Sequence, residues 1–177
     1  MTILEKYDDL DEEAQEVYPY RDFPSLDEAQ LQAFEQSNGI LLPPELREIL
    51  LEGNGGYIKE EFLRCDDEDP DLLTGIQEVF GISNDPDHWM CSIVPLPKWV
   101  TFKHEIYTSF PTVSELESIN GPISRYFVIS GDGVVFHLLD YTASESSKAV
   151  CYLDLVGGDQ KIIRLGDGIA SVIQIER

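Results

Sequence analysis

The most suggestive spacing in the chain belongs to four acidic residues. Asp67, Asp69, Asp71 and Glu78 stand at positions 1, 3, 5 and 12 of a calcium loop of the EF-hand type. Oxygen ligands at that spacing wrap a hard cation only if the loop turns sharply at its sixth position, which requires glycine, and a helix leads into it. Here the sixth residue is Leu72, Pro70 interrupts the loop, and no helical pattern precedes Asp67. The stretch reads instead as a solvated acidic loop facing a protein partner. His88 and Cys91 have the H-x-x-C spacing of half a zinc site, but a closed site needs four ligands and no second close pair exists. His137 and Cys151, with Asp140 or Asp154, supply the residue types of a nucleophilic triad. No G-x-S-x-G elbow accompanies them, and His137 reads as a core or edge-strand residue. Gly131 and Gly133 begin a dinucleotide fingerprint whose third glycine is replaced by Phe136, so they mark a hairpin. The pattern calls for no catalytic residue, no metal and no cofactor.

The elements that position these residues follow from periodicity and punctuation. Residues 1 to 22 mix six acids between Asp8 and Glu16 with Leu4, Tyr7, Leu10, Ala14 and Val17, ended by Pro19. They read as an acidic N-terminal extension ahead of a domain spanning residues 23 to 177. Ser25 and Glu28 have the spacing of a capping box that opens a helix stopped at Asn38 and Gly39. Pro44 suits the first turn of a second helix with Leu46, Ile49 and Leu50 on its apolar face. Gly53 to Gly56 then reverse the chain into a strand at Tyr57, Ile58 and Phe62. Further strands are expected at Val79 to Ile82, Ser92 to Val94, Tyr126 to Ile129, Val134 to Leu139, Val150 to Leu155 and Gln160 to Leu165. Residues 98 to 121 are less regular and read as an insertion with one helix at Ser114 to Ser118. The expected class is α+β: one domain with a mixed, largely antiparallel sheet of about six strands and helices packed against it.

Composition bounds the function. With 177 residues and 42% hydrophobic content the chain can build a core despite a net charge of −22. Residues 1 to 90 carry 24 Asp and Glu against 5 Lys and Arg, whereas residues 91 to 177 carry 10 against 7. Acidity concentrated in this way repels phosphates and anionic lipid, and it steers basic proteins inward. Direct nucleic-acid and membrane partners are therefore disfavoured, and the charge either draws in a basic protein or serves only to keep the domain soluble. No apolar run reaches a membrane span, and Cys65, Cys91 and Cys151 leave one unpaired in any disulfide scheme, which fits a reducing cytoplasm. The candidate contact surface comprises Glu60, Glu61, Asp66, Asp67, Glu68, Asp69 and Asp71, with Asp85 and Asp87 beyond. Trp89, Tyr57, Trp99 and Tyr107 are either aromatic anchors or core.

Leu31 to Gly56 is the most distinctive run: Phe34 and Glu35 in a helix, Gly39, Ile40, Leu42 and Pro43, then Glu45, Leu46, Ile49, Leu50, Asn54 and Gly55. It resembles the opening signature of the SUKH superfamily, founded on a yeast regulator of cell-wall synthesis. Phe80, Gly81 and Ile82 resemble its mid-chain strand, ISGDGVVFHLLD from Ile129 to Asp140 its sheet core, and AVCYLD from Ala149 to Asp154 the paired strand that follows. Ile169, Ala170 and Ser171 are similar to the start of its last helix, which is expected to be either short or absent. The resemblance implies a non-catalytic immunity protein that neutralises a toxin, often a nuclease, of a bacterial polymorphic toxin system, and the acidic charge suits a toxin domain that is basic. Its alternative is a regulatory or scaffold module for an endogenous partner.

Overall fold

The computed structural model describes residues 2–63, 75–146 and 149–174. Helix α1 (Glu12–Val17) is a short acidic turn capped by Asp11. Helix α2 (Glu28–Asn38) begins later than the Ser25 reading placed it, because Asp27 is the N-cap. The Asp27 carboxylate accepts the Gln30 amide and the Gln30 side chain accepts the Asp27 amide, both at 2.8 Å. An ionised carboxylate is a stronger acceptor than a serine hydroxyl, so the D-x-x-Q box prevails over S-x-x-E. Glu28, freed from capping, pairs with Arg47 of helix α3 (Pro44–Glu52), as does Glu35. Glu35 is buried, and its other oxygen accepts the Leu42 amide at 2.8 Å, so this charge has both partners it requires. Leu46, Ile49 and Leu50 face the core from α3, as their spacing predicts.

Two short strands follow, β1 (Gly56–Tyr57) and β2 (Glu78–Val79), paired antiparallel. The expected strand through Phe62 stops earlier: Glu60–Phe62 is a 3-10 turn closed by the Phe62 amide on the Lys59 carbonyl, which tucks the Phe62 ring into the core. After a second 3-10 turn at Pro86–Cys91, strand β3 (Val94–Pro95) runs directly into helix α4 (Leu96–Ile106). Helix α5 (Val113–Asn120) follows. Residues 98 to 121 thus form most of two helices, and Trp99, Val100 and Leu116 from them are at most 1% exposed.

The main sheet has five antiparallel strands in the order β3-β4-β5-β6-β7, completed by β4 (Tyr126–Gly131), β5 (Val135–Asp140), β6 (Ala149–Asp154) and β7 (Ile163–Asp167). The fold is therefore α+β, with helices and a mainly antiparallel sheet in one domain. Strands β4 and β5 are buried on both faces along their middles, which is why they read as near-continuous apolar runs rather than alternating ones. Strand β7 starts at Ile163 rather than Gln160, since Gln160 takes a positive φ of 55° in the preceding turn. Helix α4 packs on the sheet through Trp99 and Phe136, whose ring centroids are 4.2 Å apart. Among the described residues, a three-residue 3-10 turn, Ile169–Ser171, stands at the expected start of the last helix.

Residues 2–24 are built into this core. The Glu5 amide donates to the Tyr57 carbonyl at 2.8 Å and the Lys59 amide to the Ile3 carbonyl at 3.1 Å, which lays the N-terminal segment along β1. Tyr20 and Phe23 sit on glycines: a Cβ on Gly55 would lie 2.6 Å from the Tyr20 ring, and one on Gly81 equally close to Phe23. Only glycine leaves room for these rings. Among the described residues no helix is long and apolar enough to cross a membrane.

Candidate partner-binding surface

Exposed carboxylates cover the first half of the described chain, from Asp8, Asp9 and Asp11 to Glu60, Glu61, Asp85 and Asp87. Glu60 and Glu61 sit on the 3-10 turn after β1, and the Phe62 carbonyl there receives the Gln174 amide at 2.9 Å. Asp85 caps the turn Pro86–Cys91 and Asp87 lies within it, reached through β2. Because β1 and β2 are antiparallel with Tyr57 opposite Glu78, the two acidic turns leave opposite ends of the pair. The fold therefore does not bring Glu60 and Glu61 beside Asp85 and Asp87. Asp66, Asp67, Glu68, Asp69 and Asp71 lie outside the described residues.

The Asp85–Asp87 turn is held at several points. The Asp85 carboxylate accepts the Asp87 amide at 2.9 Å, and the Asp85 amide donates to the Ser83 hydroxyl at 3.1 Å. Ser83 also bonds His88 Nδ1 at 2.9 Å, and the His88 ring stacks on Phe23 with centroids 4.4 Å apart. Behind the turn stands Asn54, only 7% exposed. Its amide donates to the carbonyls of Pro24 and Ile82 at 2.8 and 2.7 Å and accepts the Ile82 amide at 2.6 Å. One side chain thus ties α3 to the segment entering α2 and to the strand that delivers Asp85.

Of the aromatic candidates, Trp99 is core and Tyr107 is 52% exposed. Tyr57 packs edge-on against Tyr18 and Tyr20. Trp89 is half-buried, its ring 5.0 Å from Phe102 and 5.9 Å from Trp99. Beside Trp89 stand Met90, 50% exposed, and Phe102, two apolar residues that the sequence reading did not single out.

The positions with catalytic residue types are dispersed. Cys151 stands opposite Leu138 while His137 stands opposite Tyr152, so the thiol and imidazole leave opposite faces of the sheet. Burial, reinforced by Asp140, raises the Cys151 thiol to about 11, which keeps it protonated at neutral pH. Cys91 is likewise raised to about 11, first by burial and then by Glu78. Glu78, the would-be twelfth calcium ligand, accepts the Tyr20 hydroxyl at 2.6 Å, and burial raises its carboxyl above the ordinary range. A cleft of about 80 Å³ beside β2 is lined by Gln77, Glu78, Ser130, Asp132 and His137. Both its carboxylates are engaged by the fold, Glu78 by Tyr20 and Asp132 by the amides of Val134 and Val135 at 2.9 Å. Among the described residues, no group of three or more His, Cys, Asp or Glu is placed to hold a metal ion.

Comparison with known families matches residues 25–173 to the SMI1 / KNR4 family (SUKH-1). No curated protein and no solved structure matches the chain.

Proposed function

Because the chain belongs to the SMI1 / KNR4 family (SUKH-1), which includes immunity proteins of polymorphic toxin systems, we propose that it binds and neutralises a basic toxin domain in the cytoplasm, without catalysis of its own. The observation that carries this reading is the charge: a net −22, weighted to residues 1 to 90 and carried there by exposed carboxylates on Glu60, Glu61, Asp85 and Asp87. A nuclease is the toxin class such a surface suits best. Its substrate groove is basic to accept phosphates, and a carboxylate-rich face occupies it by the same attraction. Asp66, Asp67, Glu68, Asp69 and Asp71, next in sequence after Glu60 and Glu61, are proposed partner-binding residues as well.

Rescue is the test. The chain is co-expressed with the C-terminal domain of a toxin gene found adjacent to its own; the expected result is that growth is restored and a stable complex purifies. If neither occurs, the immunity reading falls and a regulatory or scaffold module takes its place. Reversing Asp66, Asp67 and Asp69 to lysine slows association and flattens its salt dependence. Unchanged association kinetics would remove that loop from the contact.

A further inference from the structure

We propose that Trp89, Met90, Phe102 and Ile106 form the apolar centre of the partner contact, with Asp85 and Asp87 as its acidic rim. The occupant is a basic protein whose Lys and Arg surround an apolar patch of its own. The inference rests on the reading that the chain binds a basic toxin domain and specifies where.

Three observations carry it. First, large apolar side chains lie open here: Met90 is 50% exposed and Ile106 is 56% exposed. Phe102 and Ile106 are four residues apart on α4 and so share one helix face. Trp89 packs on Phe102, which brings the Pro86–Cys91 turn alongside that face. Trp, Phe and Met are the side chains that protein contacts favour at their centres. Second, the platform is already ordered. Trp89 is wedged between Phe102 and Trp99, and the turn beneath it is fixed by the Asp85 cap, the His88 stack on Phe23 and the Asn54 clamp. A partner binding there loses little additional conformational freedom. Third, the rim decides the occupant. Asp85 and Asp87 are exposed at one end of the patch, so a second copy would set carboxylates against carboxylates on a chain of net charge −22, whereas a basic surface is drawn in. Lys98, exposed, lies over the Phe102 ring at 5.9 Å, a single cation against the two carboxylates of the rim.

The test uses the full chain and a basic nuclease toxin domain whose toxicity it relieves on co-expression, with kinetics followed by biolayer interferometry. Met90→Ala combined with Ile106→Ala accelerates dissociation about 10-fold or more and leaves association nearly unchanged, as expected for central apolar contacts. Asp85→Asn with Asp87→Asn, which keeps the capping acceptor, slows association and lowers its salt dependence. Val156→Ala, at an exposed apolar residue between β6 and β7, changes neither rate. Melting temperatures within about 2 °C of the parent for all variants exclude misfolding as the cause. A complex that forms normally with the Met90 and Ile106 variant overturns this placement and leaves the immunity reading standing. No complex with the unaltered chain overturns both. A parent that sediments as a dimer and becomes a monomer on Met90→Ala makes the patch a self-interface, which also overturns it.

Discussion

Asn54→Ala tests the clamp on which the site depends. The side chain makes three hydrogen bonds of 2.6 to 2.8 Å in a position only 7% exposed. At a net of about 1 kcal/mol each, their removal costs about 3 kcal/mol. Water has little access to replace them, so the orphaned Pro24 carbonyl and Ile82 amide and carbonyl push the figure upward rather than down. A domain of ordinary stability, about 5 to 15 kcal/mol, stays folded after such a loss, and the variant remains measurable. The assay is urea denaturation at 25 °C followed by the fluorescence of Trp89 and Trp99, the two tryptophans of the chain. The midpoint falls while the denaturant slope holds, because the surface exposed on unfolding is unchanged. Asn54→Asp sharpens the test. It retains the acceptor for the Ile82 amide but turns a carboxylate toward two carbonyl oxygens, so at neutral pH it destabilises at least as much as alanine. A loss below about 1 kcal/mol for Asn54→Ala, or an aspartate variant clearly more stable than the alanine one, refutes the clamp.

Gly81→Ala places a methyl against the Asn54 carbonyl oxygen and 2.6 Å from the Phe23 ring, so a chemical-denaturation loss of about 1 to 3 kcal/mol is expected. Glu78 has a folded pKa raised chiefly by burial, so it binds its proton more tightly folded than unfolded; its contribution is fully present below the unfolded value near 4.5 and is lost as pH rises through the folded value. Glu78→Gln, which keeps an acceptor for Tyr20, therefore gains stability relative to the parent as pH rises above about 4.5 in paired urea melts; parallel pH profiles would contradict it. Deleting residues 1 to 24 strips the buried Ile3, Leu4, Tyr18 and Tyr20 from the core, at about 1.5 to 3 kcal/mol each. That approaches the whole stability of a domain, so residues 25–177 alone give a flat or strongly shifted melt, and a cooperative parental melt would show the segment to be dispensable.

What was legible in the sequence was local chemistry and period. Pro44 before Leu46, Ile49 and Leu50 specified α3, and the turn at Gly131–Gly133 specified the β4–β5 hairpin, because each signal acts within a few residues. What was not legible depended on distant partners. The capping box moved from Ser25 to Asp27, where the choice lay between two overlapping boxes of acceptable residue types. Phe62 looked like strand because it is apolar, but its burial comes from a turn, which hydrophobicity alone does not distinguish. The separation of Glu60–Glu61 from Asp85–Asp87 was hidden for the same reason: only the register of β1 against β2 sends them to opposite ends. Acidity was readable as an amount and not as a surface.

Charge and core are nearly separate in this fold, and that separation shapes how its binding can change. Asp85 and Asp87 are exposed carboxylates on a capped turn, so Asn substitutions there alter long-range attraction while leaving the packing intact. Trp89 is different, since its ring touches Trp99, which touches Phe136 in the middle of the sheet. Trimming Trp89 to alanine is therefore expected to disturb the proposed contact and the core together, whereas trimming Met90, half in solvent, is expected to disturb only that contact. Affinity for a changed partner is adjusted most readily at the acidic rim and at Met90, and least readily at Trp89. A set of variants selected for binding to an altered toxin domain is expected to accumulate substitutions at Asp85, Asp87, Met90 and Ile106 while retaining Trp89. Frequent loss of Trp89 in such a selection, with melting temperature unchanged, would show that the platform is not coupled to the core.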